Sequence, residues 1–380
     1  RGLGDVYKRQ IKEEWGNNLI SSWNKSWIKL PRIISQKLAS IIKSKKDEVY
    51  VGSSTSINLF KLIKSILQSN KSIKNISTDN LNFPSDKYIC ELIAKDFNID
   101  FNFLDYGSDL MANIEQLKEF IKEKRGIIVL SHVAFKSSYR YPIKEISKFC
   151  KDNNTIVIWD LSHSIGAIDI NMGLNQVDYA IGCTYKYLNG GPGSPAFIYV
   201  REQELRKLKS PIRGWFSHEK PFEYSNEYNE SNSIEKFSNG TPHILSLSTL
   251  KTSLDITIEA TTEELNIKSA KLFDYFESIY TNELKKLNFE LLTPMDKCKR
   301  GSHIAISHKE AWRISKCLIN PIDNGKLSII IDFRPKNIIR IALTPLYTSF
   351  EDIYSVSKRL INIVNEEEYK QKDYSIEGVT

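Results

Sequence analysis

Cysteine is scarce in this chain: five residues in 380, at Cys90, Cys150, Cys183, Cys298 and Cys317. The number is odd, the spacing is wide and no C-x-x-C pair occurs. That argues against a disulfide framework or a zinc site and for free thiols in a reducing compartment. Histidine is nearly as sparse. His132, His218, His243, His303 and His308 show no metal-like spacing and read as structural or surface residues, although His218 and His243 flank segments that carry motifs. Long apolar runs are missing too. The longest, such as Gly126–Leu130 and Ser328–Ile331, fall far short of a membrane span, and no charged n-region with an apolar h-region opens the chain. Nor does one sign of charge dominate. The 53 Lys and Arg against 46 Asp and Glu leave +7, spread along the chain rather than gathered in a tail or on one face. These absences leave a soluble cytoplasmic protein as the expectation, with neither a membrane nor a nucleic acid as partner.

What is present is ordinary globular material, 41% apolar and 26% charged. The length suits about two domains and a core that needs no staples. Residues 1–10 (RGLGDVYKRQ) have neither periodicity nor a cap and read as a foreign or misassembled leader on a chain lacking its true N-terminus. Residues 11–48 are expected to belong to a small domain, with helical spacing at Ile33, Ile34, Leu38, Ile41 and Ile42. Over 49–245 strands and helices alternate. Strands are predicted at Glu48–Val51, Ile73–Ser77, Ile99–Phe103, Gly126–Leu130, Thr155–Trp159, Val177–Gly182 and Ala196–Val200, and helices at Asp86–Asp96, Ile114–Glu123 and Ile143–Asp152. This pattern predicts an α/β fold with a mostly parallel sheet covered on both faces. Leu245–Leu265 and Ala270–Leu287 read as two long linking helices within 246–287. Short strands at Phe289–Leu292, His303–Ile306, Leu327–Asp332 and Ile339–Leu343, with a helix at Glu351–Val364, make a smaller α+β domain over 288–366. Residues 367–380 read as a frayed polar tail.

Three segments carry candidate chemistry. A strand ends in Trp159-Asp160, followed by Leu161-Ser162-His163. In open α/β sheets ligands sit at the carboxyl ends of strands, so Asp160 is placed to meet one, although alone it would more often cap the next turn. About 25 residues on, Lys186 follows another strand within Tyr185-Lys186-Tyr187-Leu188-Asn189-Gly190-Gly191-Pro192-Gly193. The run has neither the dinucleotide nor the Walker glycine pattern. A lone lysine is usually a surface charge. One set among aromatics near a carboxylate is a candidate Schiff-base nucleophile, because desolvation favours a free amine. An aspartate at a strand end with such a lysine suggests pyridoxal phosphate, whose pyridinium the carboxylate would keep protonated. Ser53-Ser54-Thr55-Ser56 before a helix is an ordinary capping signal by itself. Beside Lys186 it becomes a phosphate cradle of hydroxyls and free N–H groups.

With these residues in place, the chain resembles the kynureninases, among the fold-type-I pyridoxal-phosphate enzymes. The matching stretches run in order from Leu19-Ile20-Ser21-Ser22-Trp23-Asn24 through Ser54–Phe60, Asn82–Asp86, Trp159–Ser164, Tyr185–Gly193, Gly214-Trp215, Gly240-Thr241-Pro242 and Arg300-Gly301-Ser302 to Arg340–Tyr347. Together they cover residues 11 to about 362. A lysine with an upstream aspartate is common to the whole fold type. The Tyr-Lys-Tyr-Leu-Asn-Gly-Gly-Pro-Gly run paired with Arg-x-x-x-Thr-Pro-Leu-Tyr is far more specific.

The resemblance implies a seven-stranded mostly parallel sheet, a smaller domain completing a cleft, and a homodimer with shared sites. It implies hydrolysis of L-kynurenine to anthranilate and L-alanine, a step of tryptophan degradation. Lys186 would bind the cofactor and move protons, Asp160 would pair with the ring nitrogen, and Tyr185 would act as an acid or relay. Phe83 would stack on the ring, with Asp86 and His163 lining it. Thr55, Ser56, Tyr185 and Trp215 would bind or approach the phosphate, with Ser131 nearby. Trp215 and Thr241 would reach the partner's cofactor. Arg340 would grip the substrate carboxylate. Its apolar neighbours Ile338, Ile339 and Ile341 make an anionic partner a physical need. By resemblance, bacterial members carry Trp and Thr at the positions of Trp23 and Thr241 where animal enzymes carry His and Asn, which implies preference for L-kynurenine over its 3-hydroxy form. The upstream loop that family members place before residues 11–16 has no counterpart in Arg1–Gln10, which implies cofactor binding with poor turnover. Two other readings stay open: a cysteine desulfurase-like lyase, which needs a catalytic cysteine on a loop, and a truncated paralogue that binds cofactor without activity.

Overall fold

A computed structural model describes residues 3–323 and 325–371. The large sheet has seven strands: β1 (Val49–Val51), β2 (Asn75–Asp79), β3 (Asp100–Leu104), β4 (Ile127–Ser131), β5 (Ile156–Asp160), β6 (Tyr179–Gly182) and β7 (Phe197–Val200), in the order β1-β7-β6-β5-β4-β2-β3. β7 runs antiparallel to both its neighbours, and the other pairings are parallel. The central strands read as unbroken apolar runs because both faces are buried. In β4, Ile128 and Leu130 enter one core while Ile127 and Val129 enter the other. In β7, Phe197 and Tyr199 face the first core and Ile198 and Val200 the second. Each such side chain contributes roughly 1.5–3 kcal/mol of burial. The helices Ile114–Glu123 and Ile143–Asp152 fall where their spacing predicts, and each strand lies within two residues of its predicted span.

The smaller domain holds an antiparallel four-stranded sheet of β8 (Glu290–Leu291), β9 (His303–Ser307), β10 (Asp332–Arg334) and β11 (Ile338–Ala342), in the order β10-β11-β9-β8. Four details here differ from the sequence reading. The expected helix over 245–265 breaks at Thr261, whose φ of +60° ends Ile244–Ala260 while its hydroxyl caps Thr262–Asn282 through Glu264 N–H. A helix at Ala311–Ile319 is additional. The strand expected at 327–332 begins only at Asp332, because Ile329 N–H bonds Leu318 O and ties that stretch to the preceding helix. The start of the expected frayed tail is ordered, since Glu368 is buried in an ion pair with Arg359; 372–380 lie outside the described residues.

The N-terminal stretch also departs from the expectation of a patternless leader. Leu3–Arg9 is helical, runs into π-helical turns over Gln10–Asn17, and packs on the helix Ile244–Ala260. Glu14 fixes its end by accepting bonds from Trp27 Nε1 (2.9 Å) and Ser26 Oγ (2.8 Å). No helix among the described residues is long and apolar enough to cross a membrane.

Candidate active site

The carboxyl ends of β5 and β6, the start of the helix Thr55–Ser69 and the start of the helix Pro84–Phe97 border one cleft of about 630 Å³. Crossing of parallel strands to helices on both faces brings these distant segments together. Ser53–Ser56, Phe83, Asp86, Asp160, His163, Tyr185 and Lys186 all line it. From sequence all of these are assigned to the cofactor, Ser53 and Ser54 as part of the phosphate cradle.

Local structure explains each placement. Asp160 ends β5, is buried, and accepts from Ser162 N–H at 2.8 Å. Asp86 lies in the first turn of Pro84–Phe97, where the helix's positive end faces it. It is only 2% exposed, yet its Oδ2 has no hydrogen-bond partner among the described residues. Burial raises the Asp86 carboxyl well above its ordinary range. The nearby Asp160 charge raises it further, and Lys186 pulls the other way. Burial likewise raises Asp160, against Lys186 and the Ser162 bonds. Lys186 follows β6 with its Nζ 5.4 Å from the Tyr185 ring centre. Partial burial, with the neighbouring Cys183, pushes the Tyr185 hydroxyl up to about 12. Burial drives His163 well below the ordinary imidazole range, helped by the charge of Lys186. Phe83 stands half-exposed at the cleft, edge-on to Phe135 at 5.3 Å.

Thr55 and Ser56 open the helix Thr55–Ser69, with Ser54 as its cap. Their backbone N–H groups are among the four that a helix start leaves free. The preceding Ser53 has a φ of +56°, a left-handed conformation that non-glycine residues rarely adopt.

Other assigned residues lie elsewhere. Ser131 ends β4 but is buried beneath the cleft, its N–H bonded to Asn82 Oδ1. Thr241 borders a second cavity of about 570 Å³ that shares Ser53, Pro195 and His243 with the first. Trp215 and Trp23 join an aromatic cluster through Phe216, at 4.2 and 6.3 Å. Arg340 has the anionic partner its burial requires. Its Nε donates to Asp332 Oδ2 at 2.8 Å, Nη2 donates to the same oxygen, and Nη1 donates to Phe135 O.

Two of the histidines read as structural or surface from sequence, His243 and His303, sit closer to the chemistry, and His132 does not. His243 lines the cleft. His303 is buried 5.7 Å from the His163 ring. Buried His132 packs on Trp159. Only the position of His243 beside a motif segment hinted at this in the sequence. No cysteine lines the cleft among the described residues; Cys183 is buried, with its Sγ 3.8 Å from Ser162 O. The described residues contain no group of His, Cys, Asp and Glu able to hold a metal ion.

A family model for the kynureninase C-terminal domain matches residues 265–360. Kynureninase from Pseudomonas fluorescens is 35% identical over 371 residues, 96% of this chain and 86% of that protein. Among solved structures, an apo cysteine desulfurase from Thermococcus onnurineus superposes with a TM-score of 0.80 at 16% identity, covering 96% of this chain and 91% of that one. A C-DES mutant with glycine covalently linked to its PLP cofactor gives 0.77 at 15% identity, covering 95% and 92%. The latter two share the fold. The identity and coverage of the Pseudomonas protein, on a sheet whose strand ends gather Lys186, Asp160 and Asp86, establish that this chain belongs to the kynureninase family.

Proposed function

We propose that the chain hydrolyses the Cβ–Cγ bond of L-kynurenine to give anthranilate and L-alanine, using pyridoxal phosphate in the Lys186 cleft. The observation that carries the reading is the meeting of one lysine amine with two buried carboxylates whose charges are incompletely matched. The residues present suit that cofactor. Unpartnered Asp86 Oδ2 and buried Asp160 suit a cationic ring nitrogen, and the amine of Lys186 suits an aldehyde. The N–H groups and hydroxyls of Thr55 and Ser56, with the Tyr185 hydroxyl, suit a phosphate.

When bound, the cofactor supplies an electron sink for the bonds broken at the substrate. Lys186 would hold it and, once the substrate amine has displaced it, would take and return the α-proton. Asp160, anchored by Ser162 N–H at 2.8 Å, would keep the ring nitrogen protonated. Tyr185, with its hydroxyl held near 12, keeps its proton at neutral pH and can donate it. His163, kept uncharged, adds no cation beside Lys186. Phe83 covers a ring face, and Arg340 takes the substrate carboxylate in competition with Asp332. Trp215 and Thr241 lie outside their own chain's cleft, so we assign them to the partner's site in a homodimer. Trp23 and Thr241 favour L-kynurenine over the 3-hydroxy compound.

The test is incubation of the protein and pyridoxal phosphate with L-kynurenine, following anthranilate fluorescence and alanine. Equal amounts of both are expected, with a higher kcat/KM than for 3-hydroxykynurenine. Absence of both products would overturn the reading, and a reversed ratio would overturn the specificity.

A further inference from the structure

A lysine outside the cleft lies directly behind its cradle. Lys61, two turns into the helix Thr55–Ser69, is 0% exposed. It makes no ion pair among the described residues, and its Nζ donates to Ser53 Oγ and to Phe237 O, each at 2.9 Å. The Tyr50 ring centre lies 5.4 Å from the same nitrogen. Burying an ammonium with only neutral partners is costly, so the fold retains it against a penalty that methionine would not incur.

The charges lining the cleft give this lysine a purpose. Asp86 and Asp160 are acidic, and Lys186 is the only lysine or arginine among the described lining residues. A phosphate dianion at Thr55 and Ser56 would add negative charge to a site whose one lining lysine is committed to the aldehyde. The helix start supplies about half a positive charge, and Lys61 is the next cation in line.

Lys61 is also mechanically connected to the cradle. Ser53 holds its φ of +56° while Asn58 Nδ2 donates to Gly52 O at 2.9 Å and Ala196 N–H donates to Ser53 O at 2.9 Å. A strained turn persists only where its surroundings over-determine it, and the Lys61 bond is one of those restraints. Its other bond, to Phe237 O, reaches the segment that continues through Gly240 and Thr241 to His243 at the cleft wall.

We infer that Lys61 is a positioning residue for the cofactor phosphate, a buried counter-charge that acts through Ser53 and the left-handed turn without touching the phosphate. This rests on the reading that the Thr55–Ser56 turn receives that group. Burial holds the Lys61 amine down to about 8, so a nearby dianion has room to draw it toward full charge. Tyr50 and Ser53 are the other groups facing the amine. Glu235, whose charge acts on Tyr50, is the nearby carboxylate on the segment carrying Phe237.

The test compares binding of pyridoxal phosphate and of pyridoxal, which lacks the phosphate, to the cofactor-free 380-residue chain by absorbance titration. Lys61→Met should weaken pyridoxal phosphate roughly ten- to hundredfold, as expected for losing one charge several ångströms away. It should leave pyridoxal within about twofold, and Lys61→Arg should recover most of the loss. Equal weakening of both compounds would mark a merely structural role and overturn the inference, as would unchanged binding of both. If Lys61→Met does not fold, Ser53→Ala cuts the relay alone and is read by the same ratio. A Thr55→Ala/Ser56→Ala double variant separates the two readings. If it binds pyridoxal phosphate normally, the cradle assignment falls. If it binds weakly while Lys61→Met does not, only the role of Lys61 falls.

Discussion

The Lys186 cleft and the outer end of the small domain both bury charge, and they treat it in opposite ways. At the outer end Arg359 grips Glu368 through both terminal nitrogens, at 2.8 and 2.6 Å, and Lys326 adds a contact at 3.1 Å. The Arg359 bonds hold the Glu368 carboxyl down to about 2. In the cleft, burial pushes Asp86 and Asp160 up, and an oxygen of Asp86 is left bare. One cluster matches Glu368 with two cations and ties the Glu368–Lys370 turn to the small domain. The other leaves them mismatched, a state that a cationic ligand would relieve. Arg359 Nε is buried and unpartnered too, so a bare polar atom does not by itself mark the site; unmatched carboxylate charge beside Lys186 does.

That contrast can be broken by substitution. Asp160→Asn should retain bound cofactor and its absorbance while lowering kcat on the order of a thousandfold, since a neutral amide cannot hold the ring nitrogen charged. Full activity would remove Asp160 from the chemistry. Glu368→Ala should instead cost about 3–5 kcal/mol of stability by stranding Arg359, with pyridoxal phosphate affinity unchanged; denaturant unfolding and cofactor titration read the two effects separately. The sign with pH follows. Glu368 is held below its unfolded value of 4.5, so its contribution is complete above that pH and is lost as pH falls toward about 2.

Asp79 sharpens the comparison, because it is buried and well bonded yet still shifted up. It accepts from Tyr141 Oη at 2.5 Å and from Leu81 and Asn82 N–H, but burial outweighs these and raises it to about 6. A carboxyl raised on folding favours the folded state below its unfolded value, and that advantage is lost as pH rises through about 6. Asp79→Asn should therefore flatten the stability curve between about pH 4 and 6 by up to about 3 kcal/mol. An unchanged slope in that window would contradict it. The smallest effect is expected for Asp86→Asn. Removing an unmatched buried carboxylate should raise the Tm of the cofactor-free protein by about 2 °C, near 1 kcal/mol, while weakening cofactor binding. A lower Tm would place Asp86 with the structural pairs.

Much of this was legible in the sequence. The sheet declared itself through apolar β-branched runs such as Ile127-Ile128-Val129-Leu130, which only a doubly covered strand tolerates. Asp160 was legible because it closes such a run, and Lys186 because it lies just past another, between two tyrosines. What escaped depends on long-range geometry. Asp332 stands opposite Arg340 across β10 and β11, a register that the shortness of β10 conceals. The break at Thr261 carries neither glycine nor proline, so tertiary packing overrides its local preference. Lys61 falls within an amphipathic helix, where sequence cannot distinguish a solvated lysine from one turned inward. His303 looks like any strand residue until the two domains bring it against His163.

Lys186 is the residue on which the cleft's chemistry depends. The direct measurement is borohydride reduction of the protein after incubation with pyridoxal phosphate, followed by proteolysis and mass spectrometry of the labelled peptide. The cofactor should be fixed, at about one per chain, to the peptide containing Lys186, and Lys186→Ala should carry none. Label on another lysine, or undiminished label in Lys186→Ala, would contradict the assignment of this cleft as the active site.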